Sequence, residues 1–352
     1  PYGVALIMSP WNYPVLLCLD PLIGAISAGN CAVVKPSAYT PKTSQAIADM
    51  LGAIYAPEYV AVIQGGRQEN AALLEQKFDY IFFTGSNTVG RLVMEAAAKN
   101  LTPVTAELGG KSPAIVDASS DLKLAAKRIA FGKLLNGGQT CVAPDYVLVE
   151  ESARDQLIQY FREVLEEKFP NGNYADHVRI VSERHFKQKK ALLEGQTIAF
   201  GGRVDEAQRT IEPTVLIDVD PESQVMQEEI FAPILPVLTW TKLDEAIDFV
   251  RSRPEPLALY LFTSIRDVEK KVLDMCSFGG GCINDTVVQL ANSDLGFGGV
   301  GQSGMGSYHG KRSFDTFTHY RSIVRKSTRL DLPFRYFPYT KKNFRLIRRF
   351  LQ

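Results

Sequence analysis

Residues 80–117 read YIFFTGSNTVGRLVMEAAAKNLTPVTAELGGKSPAIVD. The run at 80–86 is apolar and ends in a glycine, as a buried strand does, and the stretch at 89–100 has the pattern of a helix. Extended segments follow at 102–110 and 112–117. A strand, a helix and further strands in this order predict a parallel sheet covered by helices.

The same alternation continues on both sides of this stretch. Before it, strands are predicted at 4–9, 31–37 and 60–65, and helices at 21–28, 43–55 and 71–77. After it, helices are predicted at 121–135, 153–168, 184–194, 242–252 and 266–275, and extended segments at 146–151, 197–202, 214–219, 258–264 and 282–285. The fold class is therefore α/β, with a doubly wound, Rossmann-type first unit and a second α/β unit.

Composition excludes several classes of protein. The chain has 352 residues, 45% of them apolar and 22% charged, which rules out a disordered, collagenous or small secreted protein. Thirty-nine Lys and Arg balance 39 Asp and Glu. Without excess positive charge, no nucleic-acid partner is expected. Five irregularly spaced cysteines form no disulfide framework and predict a reducing, cytoplasmic location.

The first 34 residues contain a single charge, Asp20, and invite comparison with a membrane span. Pro10, Pro14 and Pro21 argue against one, because they would leave backbone groups unsatisfied in hydrocarbon. We therefore predict a buried α/β core here. No signal peptide is visible, and the sequence opens at Pro1 instead of Met, so we expect residues ahead of it.

Two motifs are accidental matches. The segment GVGQSG (299–304) fits the dinucleotide fingerprint by letter, but no strand precedes it and no helix follows it. The letters GKS at 110–112 resemble the end of a P-loop, yet Thr105 stands where its first glycine belongs. A phosphate site is better sought at Gly85 and Ser86, where a strand meets a helix N-terminus, although a plain turn would look the same.

Three residues carry potential chemistry. Cys141 lies in NGGQTCVAP (136–144), where flexible backbone would let a thiolate approach a substrate; the alternative is a buried structural thiol. Glu107 ends a strand in ELGGKSP (107–113) and is either a general base or a solvated side chain. Asn12, between prolines in SPWNYP (9–14), offers an amide to an oxyanion.

Seven motifs, in this order along residues 1 to about 325, resemble those of the aldehyde dehydrogenase superfamily. They are SPWNYP, VVKPS, FTGS, ELGGKSP, GGQTCVAP, QEEIFAP and GFGGVGQSGMG. The segments GQTCVAPDYVLV and SGMGSYHGKRSFDTFTH look most like its class 3 branch, which includes fatty aldehyde dehydrogenases. The resemblance implies NAD- or NADP-dependent oxidation of an apolar aldehyde, fatty or aromatic, to the acid. No metal ligand set is implied.

The resemblance assigns catalytic roles to the three residues above. Cys141 matches the nucleophile that forms a thiohemiacetal and then a thioester, with hydride passing to the nicotinamide. Asn12 and the Cys141 backbone N–H would hold the oxyanion, and Glu107 would activate the hydrolytic water. Tyr13 and Phe297 would line the aldehyde tunnel.

Five residues match the family's cofactor contacts. Lys35 and Glu229 correspond to contacts with the riboses, and Gly85 and Ser86 to the loop near the phosphates and the nicotinamide. Phe231 corresponds to the wall beside the nicotinamide.

The family also implies a domain division and a homodimer. We expect an NAD(P)-binding domain at 1–107, a catalytic domain at 108–311, and an oligomerisation strand with a basic tail at 312–352. The family's N-terminal helical segment would precede Pro1. A chain without it is expected to be less stable or inactive.

Two positions depart from the family pattern. Ala38 follows KPS, where a ribose-gripping Glu is frequent, and Lys42 lies close by. Losing that carboxylate removes repulsion toward a 2′-phosphate, so we expect NADP to be accepted as well as NAD. Ala232 replaces the usual glycine of the IFGP motif, a change we expect to be harmless.

The C-terminal tail is strongly basic. Residues 321–352 contain ten Lys and Arg and one Asp. A helix over KKNFRLIRRFLQ would align Phe344, Ile347 and Leu351 between basic flanks, as in helices that bind anionic membrane surfaces. Because the apolar stripe is short, we favour the alternative, a helix or arm packed on a partner subunit.

Three rival functions share these residues. An acylating reductase on the same fold would pass the acyl group to coenzyme A or phosphate, and Glu107 disfavours it because no water-activating base is then needed. A non-catalytic scaffold would have no use for the three catalytic candidates. A thiol hydrolase built on Cys141 would need a base, and none of the four histidines lies in a recognisable nucleophile–base motif.

Overall fold

The computed structural model describes residues 1–170, 174 and 177–351. Its strands are β1 (Val4–Met8), β2 (Cys31–Lys35), β3 (Val60–Val62), β4 (Tyr80–Gly85), β5 (Val104–Leu108), β6 (Pro113–Val116), β7 (Tyr146–Glu150), β8 (Thr197–Phe200), β9 (Val204–Asp205), β10 (Thr210–Ile211), β11 (Thr214–Ile217), β12 (Ile234–Trp240), β13 (Ala258–Phe262), β14 (Gly280–Ile283) and β15 (Gly304–Met305).

The α-helices alternate with these strands. They are α1 (Leu16–Ser27), α2 (Pro41–Ile54), α3 (Arg67–Leu74), α4 (Asn87–Ala98), α5 (Leu122–Leu134), α6 (Arg154–Lys168), α7 (Glu183–Ala191), α8 (Gln224–Gln227), α9 (Leu243–Arg251), α10 (Arg266–Met275), α11 (Lys311–Thr316) and α12 (Lys341–Phe350).

The first sheet has the strand order β15-β5-β4-β1-β2-β3, and only the edge strand β15 is antiparallel to its neighbour. Both faces of this sheet are buried. Along β1, Ala5 and Ile7 pack with α1 and α2, whereas Leu6 and Met8 pack with α4. An apolar run without polar alternation is what a doubly covered parallel sheet requires, so the predicted fold class is confirmed.

The second sheet has the order β14-β13-β6-β7-β12-β11-β8 and is parallel except for β8. Its strand β12 was not predicted from the sequence, and it contains Pro236, although proline is usually absent from a central strand. The chain accommodates Pro236 at a change of partner: β12 pairs with β11 up to Pro236 and with β7 from Val237 onward. The strand's hydrogen bonding thus passes from one neighbour to the other at the residue that lacks an N–H.

The start of α1 also differs from the prediction. Pro21 was expected near the first turn of the helix, its preferred place. Instead, α1 begins at Leu16, and Pro21 lies within it. A proline removes one intrahelical hydrogen bond, a loss that is tolerable here because α1 packs Cys18, Leu22 and Ala25 into the core.

The chain forms two compact units. Residues 1–318 contain both sheets; the second unit starts at His319 and contains a 3₁₀ turn at Pro333–Arg335 and α12, so the helix predicted in the tail is confirmed. From 312 to 351 the described residues form helical turns and no strand. The boundary predicted after 107 falls inside β5, and β15 adds residues 304–305 to the first sheet. The division into domains remains a prediction.

The described residues contain no helix long and apolar enough to cross a membrane.

Candidate active site

A cavity of about 210 Å³ opens at the carboxyl ends of β1, β4 and β5. Ligands of open α/β sheets bind at this edge. The cavity brings together eight of the ten predicted site residues: Asn12, Gly85, Ser86, Glu107, Cys141, Glu229, Phe231 and Phe297. An adjoining cavity of about 490 Å³ shares Gly109 and Glu229 with it.

Cys141 lies on a loop with unusual backbone geometry. The loop begins with Asn136, Gly137 and Gly138 at positive φ. A Cβ on Gly138 would collide with the Ala232 carbonyl, so glycine lets the loop pack closely on the 232–233 segment. Burial, followed by the carboxylates of Glu229 and Glu107, raises the pKa of Cys141 to about 12.

Two neighbouring N–H groups oppose that increase. Backbone hydrogen bonds from Cys141 and Val142 to the sulfur lower the pKa of the thiol. These bonds favour the thiolate over the thiol. Burial therefore destabilises the Cys141 thiolate, whereas the two backbone N–H groups stabilise it.

Asn12 is fixed to the loop of Cys141. Its Nδ2 donates to the Gln139 carbonyl at 3.1 Å, and Asn136 Nδ2 donates to the Asn12 carbonyl at 2.9 Å. The next residue, Tyr13, shares a 2.7 Å hydrogen bond with Thr140. Tyr13 therefore holds the Cys141 loop and is not among the residues that line the cavity. Phe297 does line the cavity.

Glu107 is buried, with 2% of its surface exposed, and neither carboxylate oxygen has a hydrogen-bond partner. Burial raises its pKa well above the usual range. A solvated strand-end glutamate, the alternative reading, is thereby excluded. The backbone of Glu107 is held between Thr84 of β4 and Gly304 of β15.

The glycine-rich segment at 299–304 thus has a structural role. Gly304 has φ +146, and a Cβ there would overlap the Ala106 carbonyl oxygen. Glycine allows β15 to lie against β5 beside Glu107. No α-helix starts here, which confirms that the fingerprint match is accidental.

Glu229 reaches the cavity with one free oxygen. Oε1 has no partner, and burial together with Asp145 raises the pKa of Glu229 to about 8. A side chain on Gly109 would overlap the carboxylate, so glycine makes room for it. Phe231, two residues on, has φ 50 and packs edge-on against Trp11 at 5.5 Å.

A buried ion pair, not foreseen from the sequence, fixes the segment that carries Glu229. Lys111 pairs with Asp145 and also donates to the carbonyls of Val225 (2.8 Å) and Glu228 (2.9 Å). Asp145 in turn accepts from the Ile230 N–H at 3.0 Å. Backbone on both sides of Glu229 is therefore tied to one ion pair.

Other residues that line the cavity were not predicted from the sequence. Trp11, His185, Lys189 and Tyr308 line the cavity. Lys189 donates to the Glu229 carbonyl at 3.0 Å, and burial, with Lys189 and Arg184, lowers the pKa of His185. His185 and Lys189 belong to α7, which follows β7 of the second sheet in the chain, and no local motif marks them.

Lys35 and the β4–α4 turn were expected to hold a cofactor. Lys35 is buried at the end of β2, where Nζ donates to the Pro36 (2.8 Å) and Gly65 (2.7 Å) carbonyls, and burial lowers its pKa. It is not among the cavity-lining side chains. Ser86 precedes the first residue of α4, and a Cβ on Gly85 would lie 2.6 Å from the Phe83 ring. The turn thus presents free N–H groups of α4 to the cavity.

Among the described residues, no group of His, Cys, Asp and Glu could hold a metal ion. The five cysteines are all free, which confirms the absence of a disulfide framework.

Comparison with known proteins gives consistent matches. Residues 1–323 match the model of the aldehyde dehydrogenase family. The chain is 50% identical to the 4,4'-diaponeurosporen-aldehyde dehydrogenase of Staphylococcus aureus, covering all of this chain and 77% of that protein. It is 51% identical to aldehyde dehydrogenase family 3 member A2 of Rattus norvegicus, with 93% and 68% covered. A dimeric NADP-preferring aldehyde dehydrogenase of Rattus norvegicus is 47% identical, with 93% and 73% covered.

Solved structures agree with these matches. The substrate-bound AldH of Staphylococcus aureus superimposes with a TM-score of 0.96 at 50% identity, covering all of this chain and 78% of that one. An aldehyde dehydrogenase of Mycobacterium tuberculosis complexed with NAD+ gives a TM-score of 0.82 at 31% identity, covering 91% and 68%.

Proposed function

The chain belongs to the aldehyde dehydrogenase family, in its class 3-like branch, and we propose that it oxidises an apolar aldehyde, fatty or aromatic, to the carboxylic acid with NAD or NADP. One observation carries this proposal. Asn12, Glu107 and Cys141, which are far apart in the sequence, line one cavity. A donor, a base and a nucleophile in one enclosed site are the parts that the reaction needs.

The first step is attack of the Cys141 sulfur on the aldehyde carbon, which forms a thiohemiacetal. Negative charge then develops on the former carbonyl oxygen. The Asn12 amide carries two N–H groups, one of which reaches Gln139, and its second N–H together with the Cys141 backbone N–H would stabilise that charge.

The dinucleotide, when bound, supplies the hydride acceptor. The cavity fits such a group: Glu229 Oε1 is buried without a partner and can accept from a ribose hydroxyl, and the β4–α4 turn offers helix N–H groups to a pyrophosphate. Phe231 would flank the nicotinamide. Lys35, which does not line the cavity, would contact a ribose that extends out of it. Loss of the hydrogen on the former aldehyde carbon, as hydride to that acceptor, would convert the thiohemiacetal into a thioester on Cys141.

Glu107 would complete the reaction by taking a proton from the water that hydrolyses the thioester. Its raised pKa makes its carboxylate a stronger base than an exposed glutamate. An acylating reductase would not need this group. If Glu107→Gln left steady-state acid production unchanged, the hydrolytic mechanism would be wrong and the acylating alternative favoured.

The apolar substrate class is supported by the cavity wall. Trp11, Leu17, Leu257, Phe297 and Tyr308 contribute to it. Phe297 packs against Tyr308 with ring centroids 5.8 Å apart, and the two residues form an isolated antiparallel bridge. An alkyl or aryl group gains from leaving water for such a surface.

Acceptance of NADP is part of the proposal. Ala38 and Lys42 are both exposed near the end of β2, where no carboxylate of the KPS segment opposes a 2′-phosphate. A homodimer is also proposed, since one of the relatives is named as a dimeric enzyme. We assign α12 to packing against a partner subunit in preference to a membrane surface.

The direct test is absorbance at 340 nm with octanal or benzaldehyde and each cofactor in turn. Reduction of NAD or NADP that disappears in Cys141→Ser is expected. Reduction that persists in Cys141→Ser, with the aldehyde still consumed, would contradict the assigned nucleophile. A folded protein that binds the cofactor but reduces neither NAD nor NADP would favour the scaffold alternative.

A further inference from the structure

A buried tyrosine lies directly behind the Cys141 loop. Tyr260, in the centre of β13, is fully buried, and its hydroxyl donates to the Val142 carbonyl at 2.6 Å. Val142 is itself fully buried and directly follows Cys141. The contact therefore joins a rigid central strand to the loop residue next to the sulfur.

The orientation of this hydroxyl is fixed by a chain of hydrogen bonds. Gln289 Nε2 lies 3.3 Å from the Tyr260 hydroxyl, and an amide nitrogen can only donate. The hydroxyl proton is thus left for the Val142 carbonyl. At the far end, the Cys282 thiol donates to Gln289 Oε1 at 2.9 Å, which sets the amide in this orientation.

Val142 connects this chain to the reacting sulfur. Its carbonyl accepts a hydrogen bond from Tyr260, and its N–H is one of the two backbone groups that lower the pKa of the Cys141 thiol. If the carbonyl were released, the residue could rotate and its N–H would leave the sulfur. A buried carbonyl without a hydrogen-bond partner is unfavourable, so rearrangement of the loop is the expected response.

We propose that Tyr260 is a positioning residue for the reaction: its hydroxyl, oriented by Gln289 and Cys282, holds Val142 so that the backbone N–H groups stay directed at the Cys141 sulfur. This inference rests on the proposed function, in which Cys141 is the nucleophile. Tyr260 touches neither the cavity nor its contents and acts only through Val142.

The test compares Tyr260→Phe with a matched control. Tyr80→Phe also removes a buried hydroxyl with a 2.7 Å hydrogen bond, in this case to Thr105 in the first sheet and not to the Cys141 loop. For each variant, the rate of Cys141 carbamidomethylation by iodoacetamide is followed by peptide mass spectrometry, with the other cysteines followed separately. Steady-state kcat and KM are measured with octanal and NAD.

Tyr260→Phe is expected to lower the Cys141 labelling rate and kcat about tenfold each, with KM for NAD changed less than twofold. Tyr80→Phe should lower Tm comparably and leave both rates unchanged. Cys282→Ser retains a donor to Gln289 and should stay within twofold of the parent, whereas Cys282→Ala and Gln289→Leu should slow Cys141 labelling.

The proposal is overturned if Tyr260→Phe lowers Tm but leaves the labelling rate and kcat unchanged. Should Tyr260→Phe fail to fold, unchanged labelling in Gln289→Leu overturns it instead. Cys141→Ser separates the two levels: its loss of turnover supports the proposed function whatever Tyr260→Phe does, and its full activity would remove the basis of both.

Discussion

The side-chain amide of Asn12 donates to the backbone carbonyl of Gln139 at 3.1 Å, joining the end of β1 to the loop that carries Cys141. Asn12→Ala is expected to lower kcat by about 10²–10³, the usual loss for one oxyanion donor. Asn12→Asp should be slower still, because it places a like charge beside the developing oxyanion. Steady-state assays with octanal test this order, and an Asn12→Asp variant as active as the parent would contradict the assigned role.

Burial of Glu229 should make stability depend on pH. Below the unfolded pKa of about 4.3, both folded and unfolded states carry the proton. Above it the unfolded chain loses the proton first, while the folded pKa is about 8, so the penalty of burial grows with pH up to that value. Glu229→Gln should therefore be more stable than the parent at pH 9, and the difference should shrink at pH 4. Denaturant unfolding at both pH values measures it; an equal difference at both would contradict the burial effect.

Gly304 should be intolerant of a side chain. Its φ of +146 and the approach of the Ala106 carbonyl mean that Gly304→Ala must strain β15 or break its pairing with β5. We expect a loss of about 2 kcal/mol or more in the free energy of unfolding. Gly52→Ala, in α2 with open space around it, is the control and should stabilise by about 0.4–1 kcal/mol. Equal effects at both positions would show that β15 does not constrain Gly304.

Ala38→Glu should shift cofactor preference toward NAD. A carboxylate at this exposed position would repel a 2′-phosphate, so kcat/KM with NADP is expected to fall about tenfold or more while that with NAD changes little. Lys42→Gln, which removes a nearby positive charge, should lower only the NADP value. An equal loss with both cofactors in Ala38→Glu would place the adenosine ribose elsewhere.

Much of the fold follows from the period of the apolar residues. Helix α10 has the predicted bounds, and most other elements lie within a few residues of theirs. Two departures involve proline: Pro236 lies inside β12 at a change of partner, and Pro21 lies inside α1. In both places tertiary packing overrides the local rule, which a single sequence does not reveal.

The candidate site likewise contains residues that the sequence reveals and residues that only the structure reveals. Residues in distinctive motifs, such as Cys141 and Glu107, were identified from the sequence. Lys111 and Asp145, 34 positions apart, show no period or motif that announces their buried pairing. His185, on α7, lies far along the chain from the strands of the first sheet and meets the cavity only in the folded structure. Such residues become visible when the tertiary structure brings them together.

In the proposed reaction, an acyl group is carried on Cys141 and Glu107 is the base that releases it. The most direct measurement is intact and peptide mass spectrometry of Glu107→Gln after mixing with octanal and NAD. We predict an octanoyl adduct on the Cys141 peptide, together with a burst of NADH of about one per site and little further turnover. Full turnover with no adduct on Cys141 would contradict both assignments.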